Sequence, residues 1–159
     1  VLFRSPGCYC HANDLLRGFL EKLAGGYSHV VMDNEAGMEH LSRRTTRDVD
    51  VLLMVANATV TAVRSAGRIH EIAQKLKLSP GSSHLILNRL NGPADLPGAG
   101  TAFAAELEKL EAAGLSLLGE VPYDEQVVMC GMEAKGVDEL PEDAPALRAI
   151  AEMMEKLNL

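Results

Sequence analysis

The sequence predicts an α/β fold, a parallel sheet of about four strands covered by helices. Three observations carry that expectation. Short unbroken apolar runs, HVVMD (29–33), DVLLMVA (50–56), HLILN (84–88) and LSLLGEVP (115–122), read as strands buried on both faces. Segments with 3.6-residue apolar spacing alternate with them, and glycine or proline punctuates the joins. Crossovers in such a sheet are right-handed, and ligands gather beyond the carboxyl ends of its strands.

Taken in order, Asn13 or Asp14 can cap a helix whose apolar positions are Leu15, Leu16, Phe19, Leu20 and Leu23. Gly25-Gly26 ends it. HVVMD is the first strand; the polar stretch 34–48 after it is partly helical. DVLLMVA is the second strand. The spacing then predicts a long helix over 61–78, with Val63, Ala66, Ile69, Ile72, Ala73 and Leu76 on its core face and Pro80 beyond its end. HLILN is the third strand and NGPADLPGAG (91–100) a loop. Phe103, Leu107 and Leu110 mark another helix, LSLLGEVP the fourth strand. After Pro145 a last helix repeats at Leu147, Ile150, Ala151, Met154 and Leu157.

The bulk numbers set limits on function. A chain of 159 residues with 47% apolar and 23% charged residues suits one globular domain. The first residue is Val, and residues 1–5 fit neither a cap, a strand nor a signal peptide. The expectation is therefore a single partial domain over 1–159, with non-native residues at 1–5 and more protein upstream. Three cysteines, an odd number, speak against a disulfide scaffold and for a reducing cytoplasm. A formal charge of −7 disfavours nucleic acid as a partner. The one basic cluster, Arg43, Arg44 and Arg47, reads as a solvated face. The last helix has more acids than bases and no bulky aromatic, which counts against membrane binding.

Four places could carry chemistry. Asp33 stands where an apolar strand meets loop, as an acid holding Mg²⁺ opposite nucleotide phosphates would, or as a plain strand end. Gly37, four residues on, would let its N–H approach a phosphate. Asn88, closing HLILN, can read a purine edge with a donor and an acceptor or cap the next turn. PGAGT (97–101) lies too far beyond its strand, and lacks the lysine, to be a phosphate loop. Cys8 and Cys10 form a C-x-C that is either a soft-metal ligand pair or a tight turn. Two thiolates leave a tetrahedral ion half-coordinated, so His11 or a second copy of the chain would have to complete it. Cys130, inside VVMCGM, reads as a small core hydrophobe.

Together, G-C-x-C-x-x-N-x-L-L-R (7–17), V-V-M-D-N-E-A-G-M-E-H-L (30–41), L-I-L-N-R (85–89) and G-E-V-P-Y-D (119–124) resemble, in order and spacing, one family. They are similar to the CooC-type nickel-insertion ATPases that mature carbon monoxide dehydrogenase, within the MinD/ParA-like class of P-loop proteins. The resemblance implies that the chain is the C-terminal part of such a P-loop (SIMIBI) domain. Asp33 would be the Mg²⁺-linked acid, with Glu35 and Gly37 in the switch beside the γ-phosphate of ATP. Asn88 would read adenine, Pro122 and Tyr123 would lie near the base, and Arg89 would belong to the same nucleotide-binding set. Cys8 and Cys10 would bind one Zn²⁺ or Ni²⁺ between the subunits of a homodimer, and His11 stands where proline is expected. The family's lysine-bearing Walker A loop would lie upstream of the C-x-C, its strand between HVVMD and DVLLMVA in the sheet. The full-length protein would be the ATPase, and this piece would be inactive alone. Two other readings stay open: a MinD/ParA-type ATPase with another client, and a non-catalytic, cysteine-based dimerisation module.

Overall fold

The computed structural model describes residues 18–19, 22–23, 25–34, 49–76, 80–90 and 101–158. The cysteine pair, His11, Glu35, Gly37 and the loop at 91–100 lie outside the described residues. Three parallel strands, β1 (Val51–Asn57), β2 (Ser82–Leu90) and β3 (Ser116–Pro122), form a sheet in that order. Helices α1 (Val60–Lys75) and α2 (Thr101–Ala112) link them, each a crossover between neighbouring parallel strands. Beyond β3 come α3 (Glu125–Met132), a single 3₁₀ turn (Val137–Glu139) and α4 (Pro145–Lys156). Among the described residues no helix is long and apolar enough to cross a membrane.

The strands hold apolar residues on both faces, as their unbroken runs require. One face packs Met54, Ala56, Leu85 and Leu87 against Val63 and Ala66 of α1 and Phe103 and Leu110 of α2. The two helices approach closely at Gly67, where an added Cβ would stand 2.5 Å from Leu110 Cδ2. The other face packs Ile86 and Leu118 against Met153 of α4. That helix is seated by Gly119, whose missing side chain leaves the space that Met153 fills: a Cβ there would lie 2.7 Å from Met153 Sδ. A register shift makes Leu118 the extra residue of β3, and Lys156 Nζ donates to its carbonyl at 3.2 Å.

Several expectations need correction. HVVMD has no regular secondary structure and is unpaired among the described residues, with Val30 46% and Val31 94% exposed. A parallel strand gains stability only through a ladder, and no described strand lies beside it. Gly18, Phe19, Lys22 and Leu23 are helical and the Gly25-Gly26 turn follows, but Phe19 and Leu23 are exposed. The first crossover helix ends at Lys75, so Leu76 falls outside the core face. His70 occupies that face instead, buried, because its Nε2 reaches the Ala113 carbonyl at 3.1 Å. The last helix buries Ala146 and Met153 where Ile150 and Ala151 were expected, since the space over Gly119 sets its rotation. Cys130 is not a core residue: it is half-buried on α3, a helix with no buried residue.

Between α1 and α2, Glu106 accepts from Arg64 Nε at 3.1 Å and Lys109 Nζ at 3.4 Å. Partial desolvation pushes its carboxyl upward, but the hydrogen bond and charge of Arg64, joined by Lys109, outweigh this and hold it below the usual carboxylate range.

Candidate functional site

The carboxyl end of the sheet gathers the residues best suited to a ligand. Parallel register sets Asn57 of β1, Asn88 of β2 and Val121 of β3 in one row. Alternation puts Asn57 and Asn88 on the same face as Leu53 and Ile86, so two side-chain amides stand side by side at this edge. Asn57 is exposed and Asn88 half-buried. On the far side, Pro122 pairs in register with Leu90, so β3 leaves the sheet beside the end of β2. Tyr123, next along, is 44% exposed.

The loop that carries Pro122 and Tyr123 is fixed from below by Asp124. This carboxylate is 7% exposed and is used twice. Oδ1 accepts from Gln126 N–H at 2.9 Å, capping α3. Oδ2 accepts from Ala146 N–H at 3.1 Å, in the first turn of α4. α4 begins with Pro145 behind Ala144, which offers no side-chain cap, so Asp124 supplies the missing acceptor from 22 residues away. At the β1 side, Thr59 caps α1 by accepting from Ala62 N–H at 3.2 Å. The carboxyl edge of the sheet thus carries Asn57 at the end of β1, Asn88 near the end of β2, and Pro122 and Tyr123 at the end of β3. Such an edge can hydrogen-bond a planar heterocycle and stack against it.

Of the sequence-predicted residues, Asn88 and Pro122 lie at this edge through the β2–β3 register and Tyr123 follows Pro122, while Arg89 is the next backbone position of β2 after Asn88. Asp33 is exposed on a segment that pairs with no strand among the described residues. Glu35, Gly37, Cys8 and Cys10 lie outside the described residues. Among the described residues no group of three His, Cys, Asp or Glu side chains converges to hold a metal ion. The sequence reading missed Asn57 and Asp124. A polar residue closing an apolar run marked Asn57, as it marked Asn88, and an acid directly before a helix marked Asp124.

No protein-family model matches the chain. In sequence it is similar to an uncharacterised ATP-binding protein of Methanocaldococcus jannaschii, 32% identical over 95% of this chain and 56% of that protein. A second such protein from the same organism is 36% identical over 77% of this chain and 44% of its own length. The carbon monoxide dehydrogenase accessory protein CooC of Rhodospirillum rubrum is 30% identical over 76% of this chain and 42% of that protein. The chain thus spans about half the length of the curated relatives it matches. In structure, the MinD cell division protein of Aquifex aeolicus superposes with a TM-score of 0.73 at 20% identity, over 92% of this chain and 60% of that one. The cell division ATPase MinD of Pyrococcus furiosus superposes with a TM-score of 0.68 at 16% identity, over 92% and 58%. The chain has the α/β fold of the MinD-like P-loop proteins, with helices on both faces of a parallel sheet.

Proposed function

We propose that a chain with this fold and these relatives is the base-binding, C-terminal part of a MinD/ParA-like ATPase, and that the whole protein inserts nickel into an enzyme such as carbon monoxide dehydrogenase. The observation that carries the nucleotide reading is the edge where Asn88 stands beside Asn57 and across from the Pro122–Tyr123 loop. Its position beyond the carboxyl ends of parallel strands is where this class of sheet binds ligands. The Asn88 amide would read adenine through one donor and one acceptor, and Pro122 and Tyr123 would lie along the base. Arg89 would follow them at the rim. Asp33 would hold Mg²⁺ or its waters opposite the phosphates, and Glu35 and Gly37 would sense the γ-phosphate. Metal and nucleotide would act together as the electrostatic stabilisation of a transferring phosphoryl group. Cys8 and Cys10 would supply half of a Zn²⁺ or Ni²⁺ site, completed by a second copy of the protein. Such a protein would work in the cytoplasm.

A second reading keeps the ATPase and changes the client. It is favoured by the wider match to the uncharacterised ATP-binding relative than to CooC, 95% of this chain against 76%. The full-length protein separates the two. One Zn²⁺ or Ni²⁺ per two chains, lost in Cys8→Ala or Cys10→Ala, supports metal insertion; ATP hydrolysis with no metal linked to those cysteines supports another client. Asn88→Ala should raise KM for ATP with little change for a triphosphate lacking the base. The 159 residues alone should bind Mg-ATP no tighter than roughly millimolar, about −4 kcal/mol, because they contain no lysine-bearing Gly-rich loop. A micromolar site on this chain would remove the reading.

A further inference from the structure

α3 is apolar along most of its length and buries nothing. Met129 is 51% exposed and Met132 76%, beside Val128 at 37%. A helix apolar on so much of its surface is ordinarily covered. The two methionines are three residues apart and share a face, and Glu125 and Glu133 flank Met129 one turn to either side. Between this helix and the 3₁₀ turn lies an open cleft of about 330 Å³, floored by Met129, Cys130, Leu140 and Pro141. Glu125, Glu133 and Glu139, with Gln126 and Lys135, complete its lining.

The surroundings are strongly negative. Residues 124–143 hold seven acids (Asp124, Glu125, Glu133, Asp138, Glu139, Glu142, Asp143) and one base, Lys135. This stretch alone carries a formal −6 of the chain's −7. Lys135 is itself engaged by Glu133 at 2.7 Å.

We propose that this acid-rich cleft, lined by Met129 and continued by the exposed Met132 at the end of α3, docks a basic amphipathic segment of a partner protein. The segment would place apolar side chains on Met129 and Met132 and its lysines or arginines against Glu125, Glu133 and Glu139. Exposed methionine suits such a role because its unbranched, polarisable side chain adapts to different apolar shapes. The charge argues against the other occupants. With Asp124 buried, the exposed groups of this stretch are six acids and one base, so a second copy would bring one −5 surface against another, and an anionic lipid surface would be repelled in the same way. A metal ion has no group of three suitable ligands among the described residues. The inference uses nothing of the nucleotide edge and stands or falls without it.

The test uses the full-length protein, ¹³C-labelled at its methionine methyls, and a synthetic leucine–lysine amphipathic helix peptide as the probe, with a leucine–glutamate peptide as its control. The basic peptide should bind, less tightly as salt is raised, and should shift the Met129 and Met132 methyl signals while leaving those of buried Met54 and Met153 in place. Met129→Gln with Met132→Gln, whose exposed side chains leave the fold intact, should weaken it about tenfold or more. Glu125→Gln with Glu139→Gln should flatten the salt dependence. Binding untouched by the methionine pair, equal binding of the acidic peptide, or preference for phosphatidylserine vesicles would overturn the proposal. So would Met129 and Met132 methyls already shielded in the full-length protein alone, whether by its own remaining residues or by a second copy.

Discussion

Replacing Asp124 with alanine should cost more stability than any helix cap on the surface of this chain. The side chain satisfies two N–H groups, Gln126 at 2.9 Å and Ala146 at 3.1 Å, in two helices. A lost cap costs about 1 kcal/mol, and a buried donor left without a partner about 1–3 kcal/mol. The Gln126 bond is partly buried and the Ala146 bond fully so, which gives about 1 kcal/mol for the first and about 2 kcal/mol for the second. Asp124→Ala should therefore lose about 3 kcal/mol. Asp124→Asn should lose about half of that, because its oxygen keeps one bond while its amide nitrogen, a donor, meets the other N–H. The assay is urea unfolding: the midpoint should fall with the slope unchanged, and thermal melting should drop by roughly 6–12 °C. On the nucleotide reading proposed above, the same substitution in the full-length protein should also raise KM for ATP, since it frees the chain at Pro122 and Tyr123. An Asp124→Ala protein within about 0.5 kcal/mol of the parent would refute the double-cap argument. An alanine variant no weaker than asparagine would refute the assignment of the two bonds.

Three further outcomes follow from the packing. Gly67→Ala forces a methyl to 2.5 Å from Leu110 Cδ2, so it should destabilise by about 1–3 kcal/mol despite the better helix propensity of alanine; a stabilised variant in calorimetry would mean the helices slide apart freely. Met153→Ala should cost about 2–5 kcal/mol in urea unfolding, and combining it with Gly119→Ala should restore part of that loss, because the new methyl enters the vacated space. Glu106 has a folded-state pKa below the ordinary 4.5, so the unfolded chain takes up its proton first as pH falls. Its contribution is complete above that ordinary value and disappears as pH drops through the lower folded value. Glu106→Gln should therefore be less stable than the parent at neutral pH, with the gap closing in acid, and a pH-independent gap in urea midpoints would show that Arg64 and Lys109 do not act through charge.

Much of the architecture was legible because it depends on pattern. The three paired strands fall on three of the four apolar runs, and α1, α2 and α4 on the segments with helical spacing. What was not legible depends on partners. Whether Val30 and Val31 join a sheet is decided by the presence of a neighbouring strand, which no local pattern encodes. The rotation of α4 is set by a glycine 34 residues earlier, Gly119, and the place of His70 in the core by a carbonyl at Ala113. α3 carried no period to read: EQVVMCGM is unbroken by charge from Gln126 to Met132, and none of its residues is buried. At the candidate site, strand-end asparagines could be found by position, and the register that sets Asn57 beside Asn88 could not.

The outer edge of β1 has a practical consequence. Among the described residues β1 ends the order of paired strands on one side, and its seven residues, VLLMVAN, carry no charge, no proline and no glycine. Val55, on the sheet face next to this edge, is 64% exposed. Natural sheets guard such margins with lysine, proline or a bulge, and among the described residues none is present along β1. An unguarded run of this composition is a template on which another chain's backbone can continue the ladder. Preparations of these 159 residues alone should become turbid in proportion to concentration, and a lysine in place of Val55 should keep them clear.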